Sequence, residues 1–316
     1  MPDWAKDAVW YQIFPDRFRN GDPGNDPRPE DCFDHPAPAG WEITPWAMDW
    51  YARADWERRK SFYRTVFGRR FGGDLVGIQA KLDYLQDLGI NALYLNPIFQ
   101  APSLHKYDAA CLHHVDPTLG PDREGDLRRL KDAHETENPR TWIWTSADRY
   151  LVDLVADVHR RGMKIILYGV FNHAGKRFFA FRDLVEKGPR SRYAGWIRIR
   201  DWKADGTFEY DGWANHKALP EFARGENDLA EPVREYLFNI TKRWMDPNGD
   251  GDPSDGVDGW RLDVAFCVPH GFWKKWRRHV KSINPNAFLT AEMVALAEEY
   301  LRGDEFDSVM NYMWLF

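Results

Sequence analysis

Cysteine is scarce: Cys32, Cys111 and Cys267 are the only three in 316 residues, and no two form a C-x-x-C pair. An odd number at such spacing excludes a disulfide scaffold and a cysteine-built zinc site. Excess positive charge is also missing, since 43 Lys and Arg face 49 Asp and Glu for a net charge of -6. That balance argues against a nucleic acid or an anionic membrane as partner. No apolar run approaches the roughly 20 residues of a membrane span. The opening MPDWAKDAVWYQIF has no apolar stretch followed by a small-residue cleavage site, so a cytoplasmic location is expected. No GxGxxG or GxxxxGK[ST] follows the first apolar segment, which removes the usual nucleotide sites of an open α/β sheet. Aromatic residues, by contrast, are plentiful: 15% of the chain, with 16 Trp. Most must pack a core, and a surplus suits stacking on sugar rings.

The most informative stretch is Gly256 to Phe266, GVDGWRLDVAF. Its β-branched and apolar residues, after a Gly/Asp/Pro-rich turn, predict a buried strand. Residues two apart share a face of a strand, so Arg261 and Asp263 project together while Trp260, Leu262 and Val264 take the other side. An isolated pair of this kind is more often a structural ion pair than a functional one. The surrounding pattern decides.

Strand-like and helix-like segments alternate. Strands are predicted at Ala8–Phe14, Ala92–Asn96, Lys164–Phe171, Gly256–Phe266, Ala287–Glu292 and Phe306–Tyr312. Helices are predicted from Leu75 to a stop at Gly89, over Trp144–Gly162 with Ser146 as cap, over Glu231–Met245 and over Gly271–Ile283. Such alternation implies a parallel sheet, open or closed into a barrel. The 29 residues from Asp263 to Glu292 match one βα unit, since a barrel of about 250 residues uses roughly 31 per unit. Polar residues gather at strand ends: His105, Tyr107 and Asp108 after the second strand, Asn172 and His173 after the third, Glu292 on the fifth. A (β/α)8 TIM-type barrel brings all such ends to one face. The excess length between the third and fourth strands predicts an inserted lobe over 175–230, dividing the barrel into 1–174 and 231–316.

Two carboxylates on adjacent strand ends, Asp263 and Glu292, are the pair that glycoside hydrolysis requires, and a separation of about 5 Å would make it retaining. Arg261 beside Asp263 is expected to keep that acid ionised, while burial raises Glu292 into a proton donor. In the first loop, Asn20, Asp22, Asn25 and Asp26 offer hard oxygen ligands, although from the residues alone an ordinary Asx-turn loop is the favoured reading. Asp246–Gly251, DPNGDG, matches the first half of an EF-hand loop, but Val257 stands at its twelfth position, so a turn is expected.

YQIFPDRF, GGDL, LNPIF, HKYD, FNHAG, LPEF, DGWRLDVAF and the strand carrying Glu292 occur in that order over almost the whole chain. In this the chain resembles the α-amylase family, glycoside hydrolase family 13, and within it the neopullulanase and cyclomaltodextrinase group. The resemblance implies hydrolysis of α-1,4 glucan linkages, with Asp263 as nucleophile, Glu292 as general acid/base and Arg261 as the residue that keeps Asp263 ionised. It implies His105, Asn172 and His173 as sugar contacts and Tyr107 as a stacking residue. It also implies Ca2+ held by Asn20, Asp22, Asn25 and Asp26 with the Gly72 carbonyl and Asp74, and admits a homodimer.

Departures from the pattern matter as much. Tyr168 stands where the family has an aspartate that supports the arginine, and a phenol brings no negative charge. Ala291 replaces a glycine before the acid. The family's seventh-strand His-Asp motif has no counterpart before Phe316, so an incomplete barrel of about six strands is expected. The alternative to an active α-glucan hydrolase is a catalytically silent glucan-binding relative or a non-functional fragment.

Overall fold

The computed structural model describes residues 1–47, 49–58 and 60–314. Six short strands form one parallel sheet in the order β1 (Trp10–Ile13), β2 (Ala92–Leu95), β3 (Lys164–Gly169), β6 (Gly259–Leu262), β7 (Phe288–Ala291) and β8 (Ser308–Val309). Strands with both faces buried read as continuous apolar runs, which is how β2 and β3 were legible. Their alternate residues enter two different cores. Leu93, Leu95, Ile165, Leu167, Trp260, Leu262 and Leu289 pack towards the helices. Tyr94, Ile166, Tyr168, Val170 and Phe288 form a separate inner cluster against Trp4, Trp10 and Tyr107. Trp10 on β1 reaches Phe288 on β7 with ring centroids 5.4 Å apart, across three intervening strands. A flat sheet could not close that distance; this one curls into a half-barrel.

The helix Ser146–Arg160 buries Ala147, Leu151, Leu154, Val155 and Val158, spaced along one face at helical period. Its cap is Thr145 rather than Ser146: Thr145 Oγ1 accepts from Asp148 N, and Asp148 accepts from Thr145 N in return. Ser146 instead bonds Asp126. Thr145→Ala is expected to cost about 1 to 2 kcal/mol, read as a lower urea midpoint with an unchanged slope. The helix predicted after Gly73 breaks in two, Leu75–Gln79 and Leu82–Asp87. Glu231–Met245 forms as predicted, and His270–Ile283 starts one residue early. Asp246–Gly251 is a chain of Asx turns, with Asn248 Oδ1 accepting from Asp250 N and Asp250 Oδ1 from Asp252 N.

Between β3 and β6 lie the helix Phe179–Lys187 and an antiparallel hairpin, β4 (Ile199–Trp202) with β5 (Phe208–Tyr210), neither of which had been read from the sequence. This segment is tied to the β3 strand end by backbone bonds from Ala174 N to Pro220 O and from Phe222 N to Asn172 O.

Candidate active site

The ladder continues past the strand ends through Asp263 N to Gly169 O and Glu292 N to Leu262 O, each 2.9 Å. Those two bonds set Asp263 and Glu292 side by side at the carboxyl-terminal rim. As the alternation required, Arg261 points inward with Asp263, and its Nη1 lies 3.2 Å from Asp263 Oδ1 and 3.3 Å from Glu292 Oε2. Tyr168, paired in register with Arg261, donates its hydroxyl to Asp263 Oδ1 at 2.5 Å. The Tyr168 hydroxyl oxygen itself accepts from Arg261 Nη1 and lies 3.0 Å from the Tyr107 hydroxyl. Arg261 also stacks its guanidinium 4.2 Å above the Tyr168 ring and points Nε and Nη2 at Met310 Sδ. Val264, next to the acid, has φ +37, a left-handed conformation that is costly for a β-branched residue. It aims the Val264 N–H at Glu292 Oε2, 2.9 Å away.

The two carboxyls shift in directions opposite to those expected from the sequence. Burial pushes Asp263 up to about 7, offset only in part by the Tyr168 hydrogen bond. Burial acts on Glu292 too, but Arg261 and the Val264 N–H outweigh it and hold this acid below the usual range. The cause is geometric. Arg261 is nearly equidistant from the two acids, so it does not favour Asp263, and Asp263 is the more buried, with 7% of its side chain exposed against 18% for Glu292. Tyr168 adds a hydroxyl but no charge. In contact with one guanidinium, the two groups titrate as a pair and not independently.

A cleft of about 720 Å3 opens over this pair, lined by His105, Tyr107, His173, Trp213, Phe266 and Val294 among others. A larger groove of about 1250 Å3 lies on the inserted segment and is lined by none of the strand-end residues. Burial lowers His173 to about 3, so its ring is neutral. With Asn172 Nδ2 donating to His173 Nδ1 at 3.1 Å, the proton is assigned to Nε2, which is buried and has no partner among the described residues. His105 is likewise lowered by burial; its Nδ1 accepts from Tyr107 N at 3.2 Å. Asn172 does not line the cleft. It stands behind His173, fully buried, with Oδ1 taken by Arg224 at 2.7 Å. Trp213, parallel to His173 at 5.8 Å, was missed because nothing local in an irregular segment marks a cleft-lining tryptophan.

The first loop folds around Asp74, which caps the helix Leu75–Gln79 and accepts from Gly21 N, Asp22 N, Gly77 N and Asn25 Nδ2. Gly72 has φ +70, and a Cβ there would strike Asp26 Oδ1 at 2.1 Å, so the Asp26 carboxylate lies against the Gly72 backbone. Burial raises Asp26, and the neighbouring Asp74 and Asp16 charges add to it. Asn20 Oδ1 and Asn25 Oδ1 are buried acceptors with no donor among the described residues. Unpaired buried oxygens beside a carboxylate fit a hard cation. The Asp74 oxygens, in contrast, already carry four N–H donors.

A curled parallel sheet that gathers an acid pair and neutral histidines at its carboxyl-terminal rim places the protein in the class of β/α-barrel glycoside hydrolases. Comparison with known proteins narrows that class: residues 12–138 and 147–316 match the alpha amylase catalytic domain, and the chain belongs to the α-amylase family. It is 44% identical over 316 residues to neopullulanase 2 of Thermoactinomyces vulgaris, covering 99% of this chain and 43% of that protein. Identity to the cyclomaltodextrinase of Thermoanaerobacter pseudethanolicus is 36% over 314 residues, covering 98% and 43%. Among solved structures, the cyclic α-maltosyl-(1→6)-maltose hydrolase of Arthrobacter globiformis superposes with a TM-score of 0.71 at 31% identity, over 98% of this chain and 56% of that one. The chain thus spans less than half the length of these two sequence relatives. Among the described residues no helix is long and apolar enough to cross a membrane.

Proposed function

We propose that the protein hydrolyses α-1,4 linkages of maltooligosaccharides, cyclodextrins, pullulan or starch with retention of anomeric configuration. The observation that carries this reading is the acid pair Asp263 and Glu292, with Arg261 Nη1 3.2 Å from one and 3.3 Å from the other. Asp263 attacks the anomeric carbon as Glu292 passes a proton to the departing glycosidic oxygen; water, deprotonated by Glu292, then releases the sugar from Asp263. For this the shared proton must first move from Asp263 to Glu292, and the two carboxyls are close enough to exchange it. His173 Nε2–H and His105 donate to hydroxyls of the bound ring, and Tyr107 stacks on it.

The test is reducing-end release from maltoheptaose and β-cyclodextrin by chain 1–316, with proton NMR of the first anomer formed. An α anomer appearing first is expected, and a β anomer appearing first would refute retention. Because Asp263 is raised to about 7 and holds the proton that must pass to Glu292, kcat/KM is expected to fall as pH rises through that region, since the fully ionised pair has no proton left to donate. Tyr168 favours a second reading, a silent binder, because its phenol brings no charge to Arg261. That reading predicts affinity for maltoheptaose without release of reducing ends.

We extend the proposal to Ca2+, with Asn20, Asn25 and Asp26 as direct ligands, the Gly72 carbonyl and Asp22 beside them, and Asp74 organising the loop. Bound there, the ion would neutralise the buried carboxylates and staple the loop to the sheet. Removal of Ca2+ by EDTA is expected to lower Tm by roughly 5 to 10 °C, the shift that about 2.7 kcal/mol of ligand stabilisation produces. Cytoplasmic residence belongs to the same proposal; one relative is named an intracellular maltogenic amylase.

A further inference from the structure

Away from the cleft, His113, His114 and Glu135 turn one ligand atom each towards a common point, with all three atoms within 4.8 Å of one another. His113 Nε2 is 3.3 Å from Glu135 Oε2, and His114 Nε2 is 2.7 Å from the same oxygen. Ligands on a tetrahedral zinc with bonds of about 2.0 to 2.1 Å stand roughly 3.3 Å apart. One edge of the triangle already has that length, a second is shorter, at 2.7 Å, and the third, between the two histidines, is no longer than 4.8 Å, so closure on an ion needs a rotation of the His114 ring. We propose that these three side chains form a binding site for a divalent transition metal of the Zn2+ type.

What surrounds the trio supports this more than the trio itself. A metal-bound imidazole characteristically gives its second ring nitrogen to a carboxylate or another oxygen, which fixes the tautomer. His114 Nδ1 lies 2.7 Å from Asp148 Oδ2, and His113 Nδ1 lies 2.9 Å from the Tyr236 hydroxyl. Asp148 is held in turn by Arg243 and by the Thr145 N–H. Glu135 Oε1 accepts from Ile143 N at 2.6 Å, which leaves Oε2 as the oxygen facing the rings. His134, just before it, takes φ +49, the turn that points Glu135 inward. His113 lies flat on Trp142 at 4.5 Å, so its plane is fixed. Both histidines are buried, while Glu135 keeps 12% of its side chain exposed, and a fourth ligand, water, enters from that side.

Without metal the same atoms form a hydrogen-bonded network in which Glu135 Oε2 accepts from both Nε2 atoms. Binding exchanges those bonds: His114 releases its Nε2 proton to solvent, His113 moves its proton to Nδ1, and both lone pairs turn to the ion. Two imidazoles with one carboxylate suit Zn2+ or Co2+ and discriminate against Ca2+, which takes oxygen ligands. The site would pin the loop after β2, which carries His105 and Tyr107, to the helices Ser146–Arg160 and Glu231–Met245.

The test is titration of chelator-stripped chain 1–316 with Co2+ in the presence of excess Ca2+, read by visible absorption. One equivalent giving the intense bands of four-coordinate Co2+, abolished by Zn2+ and weakened more than about tenfold by His113→Gln or Glu135→Gln, is the expected result. Absence of such bands in the unaltered chain overturns the proposal whatever the variants do. Bands that persist in a folded His113→Gln/Glu135→Gln double variant overturn it as well. Neither readout depends on glucan hydrolysis, so the two proposals fail separately.

Discussion

Asp263→Asn is expected to reduce glucan hydrolysis by on the order of 10^4-fold or more, the scale at which removal of a nucleophile acts, with no loss of Tm. The amide keeps the shape of the carboxylate and one oxygen for the Tyr168 hydroxyl, so the local packing stands. Its stability consequence follows from the raised acid. A carboxyl that binds its proton more tightly folded than unfolded penalises the folded state once pH exceeds the unfolded value, and the penalty grows until pH passes the folded value near 7. Asparagine removes that penalty. Equal or higher stability at pH 8 with hydrolysis gone is therefore the combined signature. A variant that kept more than a few per cent of the activity would refute Asp263 as nucleophile.

Arg261→Met is expected to destabilise the protein by about 3 to 5 kcal/mol at neutral or higher pH and to abolish activity. Among the described residues Arg261 is the one cation within contact of both acids, and methionine fills similar volume without charge. With it gone, both carboxyls rise. Glu292, now held low, contributes stability above its unfolded value that is lost as pH falls through the folded value; in the variant that contribution changes sign. The deficit should therefore be widest near pH 8 and narrow as the acids take up protons towards about pH 5. Urea midpoints at the two pH values, set against the parent chain, measure it. A deficit independent of pH would mean that Arg261 acts by packing alone.

The centre of the sheet could be read from residue order because both faces of its strands are buried there, so β2 and β3 stand out as uninterrupted apolar runs. Projection of Arg261 and Asp263 to one side followed from a period of two and needed no other knowledge. What the sequence could not supply was relative depth. The direction of the proton between Asp263 and Glu292 depends on a few tenths of an ångström around one guanidinium and on which acid lies deeper. Thr145 displaced Ser146 as cap because Asp126, from the preceding helix, claims Ser146. Asn172 looked like a sugar ligand beside His173, yet Arg224, 52 positions later, turns it inward. The helix Phe179–Lys187 and the β4–β5 hairpin went unread because the segment mixes aromatic and charged residues without a long period. His113 and His114 were passed over since their partners, Glu135, Asp148 and Tyr236, are scattered along the chain.

The backbone bonds from Phe222 to Asn172 and from Ala174 to Pro220 carry a mechanical consequence. They anchor the inserted segment to the very residues that hold and aim His173. An outward swing of that segment, wide enough to admit a bulky or cyclic glucan, would strain the anchor before it widened the cleft. Cleft width and the orientation of the imidazole are thus a single degree of freedom. Ligand entry should register as a joint change in amide exchange at Ala174 and Phe222, not as independent motion of a lid.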